Sequence, residues 1–214
     1  MSEHTPIGLE NATTIVRALT HSGNFHVDET LGYVILHYAL APQGDLRGRI
    51  LGEAGADRLA FERTRAPDRI AAADIVFDVG GVHEPAKGRY DHHMKDKPLR
   101  ADGTPYSAAG LLWKDYGHAA IRNILQTQAD ENTVSSIWET LDRALILPVD
   151  QDDNGVVKMG KLSLADIVSA CSPAWDTAEL YGVAEAQKRE SLGFANAATA
   201  VERHLVNMVD RVRA

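Results

Sequence analysis

Asp74-Ile75-Val76-Phe77-Asp78-Val79-Gly80-Gly81, with Asp91-His92-His93 soon after it, is the stretch on which the reading of the fold turns. Its apolar, β-branched run reads as a buried strand, and the glycine pair closes it in a turn. Thr14-Ile15-Val16-Arg17-Ala18-Leu19 is a second such run. It ends at Ser22-Gly23-Asn24, and residues 28–40 then carry Leu31, Val34, Ile35, Tyr38 and Ala39 at helical spacing. Between these two runs, Pro42, Gly44, Gly48, Gly52 and Gly55 punctuate the stretch that follows, after which Arg58 to Thr64 reads as another strand and Pro67 to Ala72 as a short helical link. Strands alternating with helices predict an α/β fold, a parallel sheet flanked by helices. In such sheets ligands gather where loops leave the carboxyl ends of strands.

From Ser107 onward the patterns turn helical. Ser107 reads as the N-cap of a helix over 108–116 that Gly117 ends, and a further helix is predicted around 131–144. Leu145-Ile146-Leu147-Pro148-Val149 is a short apolar run ending at the acidic turn Asp150 to Gly155. Ser163 caps a helix to Ala170, and residues 183–212 form a long amphipathic helix. The expected organisation is an α/β unit over 1–155 and a helical segment over 156–214, whose apolar face can pack on that unit or on a second subunit as a homodimer.

The 214 residues have a net charge of −8, with scattered rather than clustered Lys and Arg, so no broad basic footprint for a nucleic-acid duplex is present. Cys171 is the lone cysteine; an intrachain disulfide and thiolate zinc sites are thereby excluded, and His and carboxylate remain as metal-ligand chemistry. Met1 to Pro6 lacks the features of a secretory leader, and no apolar run is long enough to span a bilayer. A cytoplasmic location and no membrane partner are expected.

His21, Asp78 and Asp150 each end an apolar run, and His26, Asp28, Glu29, Asp91, His92 and His93 lie close to those ends. Taken singly, each has a plain structural reading: loop histidines, turn-forming aspartates, and for Glu29 a first-turn acid that complements the helix dipole. Their joint occurrence at successive run ends points instead to a centre for two divalent ions. Asp78 is the natural shared ligand, since one aspartate can offer an oxygen to each of two ions ~3.5–4 Å apart, the spacing used for attack at phosphorus. Among the late acids, Asp150 is assigned to the ions, while Asp152 and Asp153 read as a solvated turn.

The Asp91-His92-His93 motif, the His21-x-x-x-x-His26-x-Asp28 loop, the lone Asp78 after a strand and a late aspartate resemble the DHH phosphoesterase superfamily. The resemblance is strongest to its Myg branch. It extends over Thr20 to Glu29, Arg63-Thr64-Arg65, Ala73 to Gly81, Arg89 to His93, Ser107 to Leu111, Val149 to Gly155 and Ser172-Pro173-Ala174-Trp175. It implies a first metal position formed by His21, His26 and Asp78, and a second formed by Asp28, Asp78, His92 and Asp150. His93 would face a substrate phosphate and Asp91 would orient an imidazole, so that Asp78, His92 and His93 carry the chemistry.

By that resemblance the ion is expected to be Mn²⁺, with Zn²⁺ or Mg²⁺ as alternatives, and the activity hydrolysis of phosphoesters in short single-stranded RNA or small nucleotides. Two other readings stay open: a hydrolase of a compact substrate such as pyrophosphate, and an inactive, metal-stabilised nucleotide-binding or regulatory protein. Members of the branch continue through a further C-terminal portion, whereas this chain stops at Ala214. In the superfamily a second domain supplies basic phosphate-binding groups. Here Arg63, Arg65, Lys95, Lys97 and Arg100 are the nearest cations in sequence, each equally readable as solvated surface.

Overall fold

A computed structural model describes residues 5–10, 13–55, 57–126, 129–157 and 163–213; part of the N-terminal stretch read for a leader, residues 1–4, lies outside them. In chain order the elements are β1 (Val16–Thr20), α1 (Val27–Leu40), α2 (Leu46–Leu51), β2 (Leu59–Arg63), α3 (Pro67–Ala72), β3 (Ile75–Phe77), β4 (His83–Glu84) and β5 (Arg89–Tyr90). Helices follow: α4 (Ala108–Leu125), α5 (Glu131–Leu141), α6 (Leu147–Asp153), α7 (Leu164–Ser169), α8 (Thr177–Tyr181) and α9 (Val183–Arg213).

The expected parallel α/β sheet is present, in the order β2-β1-β3-β5-β4, with only β4 antiparallel to its neighbour. The chain leaves β1 to build β2 on one side, then crosses to build β3 on the other. That reversal opens a crevice at the carboxyl ends of β1 and β3, the switch point where doubly wound sheets bind ligands. Alternation along β1 divides the sheet faces. Val16 and Ala18 join the main core, whereas Leu19 forms a small cluster with Val76, Ala73, Ile70 and Val79.

Helix α1 is buried along its whole length except at Tyr38, its polar residues Asp28, Glu29, Thr30 and His37 included. Gly32 permits its close seating. A Cβ there would lie 3.0 Å from Leu112 of α4 and 3.2 Å from Phe77 of β3. The C-terminal helices share this core: Val168, Phe194, Ala198, Val201, Leu205 and Val209 belong to the same buried cluster as Leu31 and Leu112. The long helix expected over 183–212 therefore lays its apolar face on its own α/β unit.

Local structure adds to or departs from the sequence reading at three places. Gly117 does not end α4, which continues to Leu125; a Cβ at this position would meet the rings of Trp113 and Trp138 at 2.8 Å, so the glycine serves close packing inside the helix. The glycine-punctuated segment contains α2, capped by Asp45 at its start and by Gly52, at φ 72°, at its end. The acidic turn expected from Asp150 is helical through Asp153. After α5 one wide turn, Asp142–Ile146, leads directly into α6, so Asp150 lies within a helix.

Candidate metal centre

Three strands of the parallel set, β1, β3 and β5, deliver polar groups to the crevice. His21 follows β1 directly, Asp78 follows β3, and Asp91, His92 and His93 follow β5. Asp78 leaves the strand in the left-handed region, at φ 55°, a conformation that aspartate and asparagine tolerate better than other side chains bearing a Cβ. Its two oxygens face different partners. Oδ2 lies 3.1 Å from His21 Nε2, and Oδ1 lies 3.3 Å from His92 Nε2. His21 Nε2 is also 3.1 Å from Glu29 Oε1, and His92 Nε2 is 3.3 Å from Asp153 Oδ2 and 3.8 Å from Asp28 Oδ2.

The result is three overlapping groups of ligand atoms. His21, Glu29 and Asp78 form one, Asp78, Asp91, His92 and His93 a second that shares Asp78 with it, and Asp28, His92 and Asp153 a third that shares His92 with the second; within each group the ligand atoms lie within 4.8 Å of one another. The cleft above them encloses about 790 Å³. A separate cavity of about 450 Å³, lined by residues of β1, β2 and α3, offers only Glu62 as an acid, and that side chain is paired with Arg69.

Burial and charge crowding set the electrostatics. Asp28 is fully buried, and burial together with the nearby Asp153 and Asp78 pushes its carboxyl well above the ordinary range, against the pull of the Ala109 N–H. Burial lifts Asp153 as well, with Asp78 adding to the effect and His92 opposing it. Burial also pushes Asp78 upward, but the histidines on either side, His21 and His92, outweigh this and hold it at about 2. Burial would lower His21, yet Asp78 and Glu29 raise it to about 9. His92 rises for the same reason, through Asp78 and Asp153.

These residues fit divalent cations. Ser22 O lies 3.2 Å from His21 Nδ1, which leaves Nε2 directed at two carboxylates, a place that only a proton or a metal can occupy favourably. Both ring nitrogens of His92 and Glu29 Oε2 are buried without a hydrogen-bond partner, whereas buried polar atoms ordinarily have one. All donors are imidazole nitrogen or carboxylate oxygen, a set suited to Mn²⁺, Zn²⁺ or Mg²⁺.

The sequence-derived candidates fare differently in this geometry. His21, Asp28, Asp78 and His92 converge. His26 caps α1 at the exposed rim of the same cleft, and its side chain is not among the close groupings. Asp91 is buried and accepts from the backbone N–H of Gly81, His92 and His93; its Oδ1 also lies 2.8 Å from His93 Nδ1, fixing that ring while leaving the side chain 59% exposed to the cleft. Asp150 stands apart. Its Oδ1 accepts from Ser107 N and Oγ at 2.9 and 2.8 Å, and its Oδ2 accepts from Arg100 Nε at 2.5 Å.

Asp153 and Glu29 are the residues that sequence reasoning passed over. In sequence Asp153 reads as part of a solvated turn, but it follows Asp150 by three positions in α6 and lines the cleft that Asp150 does not. Glu29 does act locally, accepting the His26 N–H at 3.0 Å, and the same side chain also reaches His21. Asp28 meanwhile accepts from the N–H groups of Ala108 and Ala109 at the start of α4, where the free backbone donors favour an anion.

A family model named MYG1_exonuc, described as "Uncharacterised protein family (UPF0160)", matches residues 17–214. The MYG1 exonuclease of Bos taurus is 30% identical over 173 residues, covering 73% of this chain and 42% of that protein. The MYG1 exonuclease of Homo sapiens is 29% identical with the same coverage, and a MYG1 protein of Schizosaccharomyces pombe is 29% identical over 176 residues, covering 76% of this chain and 50% of its own length. The chain thus spans half or less of these relatives. No solved structure gives a significant match.

Proposed function

The chain belongs to the MYG1 family, and from that premise we propose that it is a divalent-metal-dependent hydrolase of phosphodiester bonds, related to the DHH phosphoesterases and acting on short single-stranded RNA or small nucleotides. One observation carries the reading: a buried aspartate at a strand end, Asp78, offers one oxygen to each of two histidine-carboxylate groups. His21, Glu29 and Asp78 would hold one ion, and Asp78, Asp28, His92 and Asp153 the other, with His26 available at the rim. Divalent ions bound there would supply Lewis acidity to phosphoryl oxygens and to water, and Mn²⁺ is the ion we favour.

The remaining work falls to the chain itself. Ser22 O holds His21 in the tautomer that turns Nε2 inward. Asp91 holds Nδ1 of His93, so that this ring presents its Nε2 to a phosphate oxygen in the open part of the cleft. Asp150, with Arg100 and Ser107, braces the start of α4 against which Asp28 rests. Among the described residues no helix is long and apolar enough to cross a membrane, and the lone cysteine suits a reducing, cytoplasmic setting.

The test is turnover of a short labelled RNA, a cyclic dinucleotide and pyrophosphate with Mn²⁺, Mg²⁺ and Zn²⁺, comparing wild type with Asp78→Asn. Asparagine accepts the left-handed backbone, so the variant isolates the lost charge. A rate loss of more than about a hundredfold is expected; equal rates in the two proteins would remove the proposal.

A further inference from the structure

Of the five cations that the sequence offered near the cleft, Arg65 and Lys97 line it, Lys97 donating to Asn154 Oδ1 at 2.8 Å. Lys95, Arg63 and Arg100 do not, and Arg100 is held by Asp142 and Asp150. Arg63 is buried at the end of β2, its side chain 8% exposed. Its Nη1 donates to Glu190 Oε1 at 2.9 Å and its Nη2 to Gly23 O at 2.8 Å. The same oxygen of Glu190 accepts from Gly23 N, at 2.8 Å. One ion pair, with one member on β2 and the other on α9, thus holds both the N–H and the C=O of a single residue.

That residue lies in the loop that joins β1 to α1 and carries His21 and His26. Gly23 has φ 99°, a conformation that glycine adopts at little cost. The carbonyl before it, Ser22 O, accepts from Arg65 Nε at 3.2 Å and lies 3.2 Å from His21 Nδ1. The backbone that orients the His21 ring is therefore the backbone that the two arginines grip. Aromatic contacts join the same three elements: the Arg63 guanidinium lies 5.3 Å from the ring of Phe25 in the loop and 4.4 Å from that of Phe194 in α9, and those rings meet edge to face at 5.4 Å. From residue 183 to 192 no side chain of α9 is buried, so Glu190 is a polar anchor in a stretch with little apolar hold.

Such a pair is a poor way to secure a fold. Arg63 Nε is buried without a hydrogen-bond partner among the described residues, and apolar groups packed in place of a buried ion pair commonly leave a protein as stable or more so. Apolar groups cannot, however, fix the N–H and the C=O of Gly23 together. Side chains that orient metal ligands from behind are the usual determinants of affinity next to the ligands themselves.

We infer that Arg63 and Glu190 are positioning residues of the metal centre, which set the loop carrying His21 and His26 in its ligand geometry and make ion binding depend on the seating of α9. The inference rests on the metal-centre reading above. Coupling of this kind is reciprocal, so an ion at the centre also steadies the first turns of α9.

The experiment is calorimetric titration of wild type, Glu190→Ala, Glu190→Gln and Arg63→Lys with Mn²⁺, with urea unfolding in EDTA as the measure of fold. Glu190→Ala should bind Mn²⁺ about tenfold more weakly, and Arg63→Lys likewise, since one ammonium does not reproduce the guanidinium fork. Glu190→Gln keeps an acceptor oxygen in the same place and should stay within about threefold of wild type. Hydrogen exchange supplies a readout without turnover: the Gly23 amide should exchange about tenfold faster in metal-free Glu190→Ala. Mn²⁺ should slow exchange over residues 187–192 in wild type and not in that variant. Mn²⁺ affinities of Glu190→Ala and Arg63→Lys within about twofold of wild type overturn the inference, whatever their unfolding curves. A loss in Glu190→Gln as large as in Glu190→Ala also overturns it, by tracing the effect to charge alone. Wild type that binds none of Mn²⁺, Zn²⁺ and Mg²⁺ removes the metal-centre reading itself, and the inference with it.

Discussion

Replacing Asp150 and Asp153 separately tests the division of labour along α6. Asp150 is fully buried, and its carboxylate accepts from Ser107 N, Ser107 Oγ and Arg100 Nε. Arg100 is itself nearly buried and also grips Asp142 with both Nη groups, at 2.7 and 2.9 Å. Asp150→Asn keeps the shape and removes the charge, so one charge-assisted bond is weakened and at least one donor faces an amide. Hydrogen bonds to charged groups contribute about 1.5–3 kcal/mol, and breaking a buried pair outright costs about 3–5 kcal/mol. A loss of about 2–3 kcal/mol is expected, which lowers Tm by roughly 5–10 °C in a chain of this size.

The same measurement on Asp153→Asn should differ in kind. Asp153 sits in the cleft beside Asp78 and Asp28, and burial first, with the like charge of Asp78 adding to it against the pull of His92, raises its carboxyl, so removing the charge should leave stability in EDTA unchanged or slightly higher. Urea unfolding in EDTA reports the first effect, and calorimetric titration with Mn²⁺ the second. Asp153→Asn should weaken Mn²⁺ by more than about tenfold, whereas Asp150→Asn should change it by less than about threefold. The reasoning is refuted if Asp150→Asn abolishes Mn²⁺ binding while its unfolding curve in EDTA matches wild type.

Two further outcomes concern the scaffold. In Gly110→Ala the new Cβ would fall 2.3 Å from Asp150 Oδ1, and the resulting overpacking, about 1–3 kcal/mol, should exceed the gain of roughly 1 kcal/mol in helix propensity; a urea midpoint at or above wild type would show that Asp150 does not pack on α4 as described. His37 is buried beside Arg49, and burial first, then that guanidinium, lower its pKa to about 4, with Asp57 and Asp45 opposing weakly. The folded protein thus resists a proton that the unfolded chain accepts near 6.5. The contribution is complete above that pH and is lost as pH falls toward about 4, by up to roughly 3 kcal/mol. Unfolding free energies in EDTA between pH 4 and 7 should show this slope in wild type and a shallower one in His37→Gln; parallel curves would contradict it.

How much of this was legible beforehand depends on the range over which each residue acts. The strands ending at His21 and Asp78 could be read because apolar runs bounded by glycine turns are local signals, and those two ends lie side by side once the sheet forms. The choice between Asp150 and Asp153 could not be read the same way. It depends on α6 being a helix and on the rotation set by burial of Ile146 and Val149, which requires the neighbours of α6 to be known. Glu29 was hidden by its own local role, since an acid in a first helical turn needs no further explanation. Gly117 misled because a glycine that ends a helix and one that admits two tryptophan rings are the same letter.

The backbone at Asp78 also bears on how this site can change by descent. Its positive φ leaves asparagine and glycine as the replacements that keep the turn at little conformational cost, and in the genetic code each lies a single base from aspartate. Both abolish the shared carboxylate. On the proposed reading, the mutations at this position that spare the architecture would be the ones that silence the centre, and a lineage could pass from catalyst to binding protein by one nucleotide change without first passing through an unstable intermediate.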